Sequence, residues 1–136
     1  MADGQLGEGK MFKNKVVIIT GASSGFGKTI AQSFVDENAK VAVCSRRLNL
    51  LKKIYGKNKK VFLQKVDVSN EATIKLFVKK VNQVFGKIDI LINNAGIAIP
   101  ESLDKIKYLD IKKTFQTNLF APTIFIREVL KSMKKN

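Results

Sequence analysis

This sequence predicts a doubly wound α/β fold: a parallel sheet with helices on both faces. Short runs that are apolar at every position recur along the chain, beginning with Val16–Thr20 (VVIIT). Each run is followed by a segment whose apolar residues fall at helical spacing, and a glycine-rich turn joins the first run to the first such segment. Continuous apolar runs mark strands buried on both faces. Strand–helix alternation implies parallel pairing with right-handed crossovers, and a centrally placed first strand.

Residues 1–12 are polar and Gly-rich and are expected to form a mobile tail, with one folded unit over 13–136. After Val16–Thr20, the residues Phe26, Ile30, Ala31, Phe34 and Val35 share one helical face, and Asp36-Glu37-Asn38 ends that helix. Val41–Ser45 (VAVCS) is the second strand. Leu48, Leu51 and Tyr55 line a short helix that Gly56 suits as a cap. Val61–Val66 is the third strand. Ser69 is the expected N-cap of a helix carrying Ile74, Phe77, Val78, Val81, Val84 and Phe85 inward, and Gly86 stops it. Ile88–Asn93 is the fourth strand. From about Leu103 to Met133 the pattern reads as one long or broken helix.

Composition narrows the function. There are 136 residues, enough for one domain. A 45% hydrophobic content is ordinary for a globular core. The absence of His excludes the Ser-His triad and the HExxH metal site, and no metal site is expected. A lone Cys44 excludes an internal disulfide framework and agrees with a reducing, cytoplasmic setting. No apolar run is long enough to span a bilayer, and no signal-peptide core opens the chain. The net charge of +14 comes almost wholly from scattered Lys; only Arg46, Arg47 and Arg127 are Arg. Specific nucleic-acid readers favour Arg forks and stacked aromatics. The charge therefore reads as solvated helix faces with nonspecific, salt-sensitive polyanion attraction.

Chemistry concentrates in Thr20-Gly21-Ala22-Ser23-Ser24-Gly25-Phe26-Gly27, between the first strand and the first helix. Gly21 allows the turn out of the strand, Gly25 admits a pyrophosphate to the backbone, and Gly27 lets the helix sit close to the sheet. The helix N-terminus adds free N–H groups and a partial positive charge. This is the setting of a Rossmann-like phosphate loop, with Ser23, Ser24 and Phe26 among its candidate contacts.

The TGxxxGxG spacing, together with Asn93-Asn94-Ala95-Gly96 after the fourth strand, resembles the short-chain dehydrogenase/reductase family. The likeness runs from about residue 13 to the end, and is loosely closest to the 3-oxoacyl-carrier-protein reductases. It implies that Asp67, in Val66-Asp67-Val68, hydrogen-bonds an adenine, with Val68 beside it. It implies that Asn94, Ala95 and Gly96 flank the cofactor beside the central sheet. It also implies that Asn118 is the catalytic Asn of the long helix. Family chemistry is hydride transfer between a nicotinamide and a carbonyl or alcohol.

The end of the second strand bears on the cofactor. A carboxylate there would favour a free ribose 2′-OH and repel a 2′-phosphate. Here the residues are Ser45-Arg46-Arg47. Arg46 can fork onto a 2′-phosphate and Ser45 can donate to it, a charge-assisted contact worth about 1.5–3 kcal/mol. NADP(H) is expected over NAD(H), although Ser24 stands where some NADP-binding members carry a basic residue.

The family's general acid/base Tyr, its Lys partner at YxxxK and its substrate Ser lie beyond the tetrad Asn. This chain reaches Asn136 soon after Asn118, with about four strands in all. Two YxxxK strings, Tyr55…Lys59 and Tyr108…Lys112, precede Asn118 and are out of place, as is Ser102. The expectation is the N-terminal cofactor-binding part of an NADP-dependent oxidoreductase, truncated and inactive by itself. It would act on a small carbonyl or alcohol only when completed. The alternative is a noncatalytic dinucleotide-binding module; a basic nucleic-acid-binding protein is the third reading. An unpaired fourth strand and an uncovered long helix favour a homo-oligomer. Pro122, lacking an N–H, is expected to kink the long helix and free the carbonyl of Asn118.

Overall fold

The computed structural model describes residues 11–134. Four parallel strands form the sheet: β1 (Val16–Thr20), β2 (Lys40–Ser45), β3 (Val61–Lys65) and β4 (Ile90–Ile92). Their spatial order is β3-β2-β1-β4, so the chain crosses from one side of β1 to the other after β3. That reversal opens a crevice past the carboxyl ends of β1 and β4, where open α/β sheets bind ligands.

Helices α1 (Gly25–Asp36) and α2 (Leu48–Tyr55) cover one face, burying Val17, Ile19, Val41 and Val43 with Ala31, Leu51 and Tyr55. Helix α3 (Glu71–Phe85) covers the other, together with the long helix formed by α4 (Tyr108–Phe115), a π segment (Gln116–Phe120) and α5 (Ala121–Met133). On that face Ile18, Ala42 and Cys44 pack with Ile74, Phe77, Val81, Phe125 and Val129. Alternate residues of one strand thus enter opposite cores, which is why the strands are apolar throughout. Phe77 packs against Phe62 at 6.1 Å and Phe125 at 6.3 Å between ring centres. Each such pair adds about 0.5–1.5 kcal/mol beyond area burial.

Several expected details shift. Phe26 is 84% exposed, not on the core face of α1, because it is Gly27, one residue on, that faces the loop at Gly21. Val84 is 55% exposed, leaving Phe85 to close the end of α3. Asn70, not Ser69, caps α3, its Oδ1 accepting from the Ala72 N–H at 3.0 Å, while the Ser69 hydroxyl is drawn back to Asp67 at 2.7 Å. Gly56 caps α2 with a right-handed φ of −60°, so its role is close approach to the Lys52 carbonyl.

Strand β4 is shorter than Ile88–Asn93 because other partners take its end groups. The Ile88 N–H donates to the Ser132 hydroxyl, and the Asn94 N–H to the Thr20 hydroxyl. The long helix begins at Tyr108 rather than Leu103, because Ser102–Ile106 closes into a turn on the Ser102 carbonyl and leaves Leu103 exposed. Of the expected tail, residues 1–10 lie outside the described residues. Phe12 packs edge-on against Phe34 at 4.9 Å, so ordered packing begins one residue before Lys13.

One polar knot joins α3, α5 and the segment leading into β4. The Ser132 hydroxyl accepts from the Ile88 N–H at 3.0 Å and donates to Asn82 Oδ1 at 2.6 Å, and Asn82 in turn donates to the Val78 carbonyl. Removing the hydroxyl leaves a buried N–H without its acceptor. Ser132→Ala is therefore expected to cost about 1–3 kcal/mol in urea unfolding. An unchanged midpoint would mean that water replaces the hydroxyl.

Candidate functional site

The crevice is built around Thr20, the last residue of β1. Thr20 is buried, and its hydroxyl accepts from the Asn94 and Ala95 N–H groups at 3.1 and 3.0 Å. The Asn94 amide returns the contact, donating to the Thr20 and Gly21 carbonyls at 3.1 and 3.2 Å. The ends of β1 and β4 are clamped together just where the chain leaves the sheet. Asn94 is thus occupied in satisfying strand ends, and Ala95 lies against the loop at Gly21.

Gly21 turns the chain with φ +68°. A Cβ at Gly27 would fall on the Asn94 amide nitrogen and the Gly21 carbonyl oxygen, so this glycine is required for contact between loop, clamp and α1. Gly25 also has a positive φ, +54°, but a Cβ there would meet nothing within 4 Å. Open space therefore lies in front of Gly25 and none in front of Gly27. Ser24 at the N-cap makes no side-chain cap bond, and no acidic residue occupies the first turn of α1. The N–H groups that every helix leaves unpaired at its start have neither an intrahelical acceptor nor this cap. Such an end favours an anion.

The loop is anchored from behind and flanked in front. Behind it, the Tyr55 hydroxyl donates to the buried Ala22 carbonyl at 2.9 Å. In front, Arg47 Nη2 donates to the Ser23 hydroxyl at 3.1 Å, with Ser24 Oγ at 3.5 Å. Ser45 Oγ accepts from the Arg47 N–H at 2.9 Å and lies 3.4 Å from Ser23 Oγ. Arg46, the residue expected to face a 2′-phosphate, is exposed and on the side of Asp67, whose carboxyl it helps to hold ionised. Thr20, Arg47 and Tyr55 were not among the expected contacts. The one usable signal in the sequence was the adjacency of Arg47 to Arg46.

Asp67 follows β3. Its carboxylate accepts from the Ser69 hydroxyl at 2.7 Å and the Ser69 N–H at 3.0 Å, which hold its pKa below the ordinary carboxylate value, with smaller contributions from Arg46 and Lys65. Val68 beside it is half-buried against the α3-side core. Asn118 lies in the π segment. Its amide Oδ1 accepts from the Ile97 N–H at 2.9 Å and its Nδ2 donates to the Ile97 carbonyl at 2.8 Å, pinning the irregular segment that follows Gly96. Around Pro122 the helix is not a regular α-helix: the Ala121 N–H reaches back to the Gln116 carbonyl.

The family model for short chain dehydrogenases matches residues 15–136. The chain belongs to the short-chain dehydrogenase family. A CLA biosynthesis dehydrogenase/reductase of Lactiplantibacillus plantarum is 35% identical over 91% of this chain and 45% of its own length. An oxidoreductase of Thermotoga maritima is also 35% identical, over 91% of this chain and 50% of its own. Among solved structures, the 3-ketoacyl-(acyl-carrier-protein) reductase of Brucella melitensis, complexed with NADH, superposes with TM-score 0.87 at 30% identity. That match covers 92% of this chain and 52% of the other. The aldohexose dehydrogenase of Thermoplasma acidophilum, ligand-free, gives TM-score 0.81 at 29% identity, over 92% and 46%. This short-chain dehydrogenase sequence thus spans about half the length of the relatives it matches.

Two measurements test the site's physics. Gly27→Ala is expected to lose about 1–3 kcal/mol by overpacking the clamp. Gly25→Ala should lose about 1–2 kcal/mol, from its left-handed backbone alone. Urea midpoints check both, and an unchanged midpoint for Gly27→Ala would contradict the packing described. Asp67 has a folded-state pKa below its unfolded one, so its contribution is complete above the unfolded value, near about 3.9. It is lost as pH falls from there through the lower folded value. Asp67→Asn should therefore flatten part of the acid limb of a stability–pH curve and leave the neutral limb's slope unchanged.

Proposed function

We propose that this chain is the NADP(H)-binding, N-terminal part of a short-chain oxidoreductase that transfers hydride between a nicotinamide and a carbonyl or alcohol. The observation that carries the reading is the uncapped start of α1, with open space at Gly25, flanked by Ser45 and Arg47 and by no carboxylate at the end of β2. The pyrophosphate would lie over Gly21–Gly27 against Ser23 and Ser24. Ser45, Arg46 and Arg47 would hold the 2′-phosphate, and Asp67 with Val68 the adenine. Asn94, Ala95 and Gly96 would border the nicotinamide ribose. When bound, the nicotinamide supplies or accepts the hydride.

Asn118 is the one member of the family's catalytic set at its expected place in these 136 residues. Its side chain is engaged by Ile97, so its proposed part in proton relay falls to the main-chain carbonyl. Without the Ser and the Tyr–Lys pair, this chain alone should catalyse little, since loss of a general acid typically costs about 10²–10⁴ in rate.

A cytoplasmic, reducing setting is supported by the single cysteine, Cys44, which is a free thiol buried in the sheet. No helix among the described residues is long and apolar enough to cross a membrane. The exposed Leu109, Phe115, Leu119, Phe120, Ile126 and Leu130 along the long helix support a partnered state, a homo-oligomer in the simplest case.

Calorimetric titration tests the cofactor reading. NADPH should bind more tightly than NADH by about tenfold to a hundredfold, matching one charge-assisted contact of about 1.5–3 kcal/mol. Arg46→Ala and Arg47→Ala should each weaken NADPH more than NADH. Equal affinity for both cofactors, unchanged by either substitution, would overturn it.

A further inference from the structure

The cofactor reading gives no part to the buried phenol of Tyr55. Its ring lies in the core between the sheet and α2, and its hydroxyl reaches the Ala22 carbonyl at 2.9 Å, with the Lys28 carbonyl at 3.5 Å. Ala22 is fully buried inside the glycine-rich loop. Lys28 belongs to the first turns of α1. A single hydroxyl therefore faces both the loop and the helix whose start the loop forms. Burial raises the phenol's pKa, so it remains a donor across the ordinary pH range. Tyr55 is also the last residue of α2, whose first residue follows Arg47 directly.

We infer that Tyr55 is a positioning residue for pyrophosphate: it fixes the Ala22 peptide from behind, and so sets the direction of the Ser23–Gly25 backbone that faces the phosphates. This rests on the dinucleotide reading above and deepens it. The physical reason is the lack of an alternative for the Ala22 carbonyl. Without the hydroxyl, a buried carbonyl loses its donor, and the loop regains one only by moving or by admitting water. Gly21 and Gly25, both at positive φ, flank the peptide and make such a movement easy. The anchor holds in place a segment that its glycines leave otherwise mobile.

Tyr55→Phe removes the hydroxyl and keeps the ring. Titration of the purified protein should show NADPH and NADH weakened about three- to tenfold, the scale of one net hydrogen bond. Adenosine 2′-monophosphate, which carries the 2′-phosphate but no pyrophosphate, should stay within about twofold of the parent. Equal weakening of all three ligands, or unchanged NADPH affinity, overturns the inference. Failure of the parent protein to bind NADPH or NADH overturns the dinucleotide reading instead. A measurement on the parent covers the case in which Tyr55→Phe does not fold. The chain has two tyrosines, Tyr55 and Tyr108, so 3-fluorotyrosine labelling yields two resonances, assigned with Tyr108→Phe. Saturating NADPH should shift the Tyr55 resonance, and a Tyr55 resonance unmoved by bound NADPH overturns the inference.

Discussion

The bonds between Thr20 and Asn94 are the constraint on which the rest of the crevice depends. A parallel sheet that reverses its winding leaves two adjacent strand ends with nothing between them. Here those ends belong to β1 and β4, which pair only through Val17–Ile19 and Ile90–Ile92. Beyond that short ladder, the Thr20 hydroxyl and the Asn94 amide replace backbone pairing with four side-chain bonds. Because Thr20 is buried, those bonds compete little with water and hold the two chain exits in one geometry. The tight fit at Gly27 follows from this, since α1 must approach the clamp to within the space of a missing Cβ.

Polar contacts around the loop divide by burial, and the division assigns them different work. The Tyr55–Ala22 bond is enclosed by the α2-side core, where loss of a partner is costly. The Arg47–Ser23 and Arg47–Ser24 contacts are exposed, and exposed contacts of this kind contribute little to stability. Arg47 can exchange those serines for an incoming anion at small cost. The Ala22 carbonyl has no comparable freedom. The loop thus has a rigid back and an exchangeable front.

The parts of the fold legible in the sequence are those set by burial on both sides. VVIIT and VAVCS could only be central strands, and the Ile74, Phe77, Val78, Val81 set placed α3 correctly. The misreadings share one cause. Phe26 and Val84 fit the helical period yet point outward, because periodicity records spacing and not which neighbours arrive. Ser69 and Asn70 are both good caps, and the choice between them was made by Asp67, which claims the Ser69 hydroxyl. The loop glycines were legible from their place between strand and helix. Thr20 and Tyr55 were not, since their roles depend on contacts over separations that no local pattern encodes, and Arg47 was marked only by its place beside Arg46.

The long helix joins these local effects into one geometry. Pro122 cannot donate to the carbonyl of residue 118, and a regular α-helix through it would leave that carbonyl unpaired. The chain widens instead into a π segment over Gln116–Phe120, with the Ala121 N–H bonded to the Gln116 carbonyl, and Ala121 and Phe125 resume the buried face beyond it. Widening turns sit often at functional positions because they re-aim one residue without ending the helix. Here the residue is Asn118, whose amide bonds both backbone groups of Ile97 and so ties the helix to the segment leaving the Thr20–Asn94 clamp. Both ends of that amide are engaged. The side chain's contribution is to hold that backbone at the crevice.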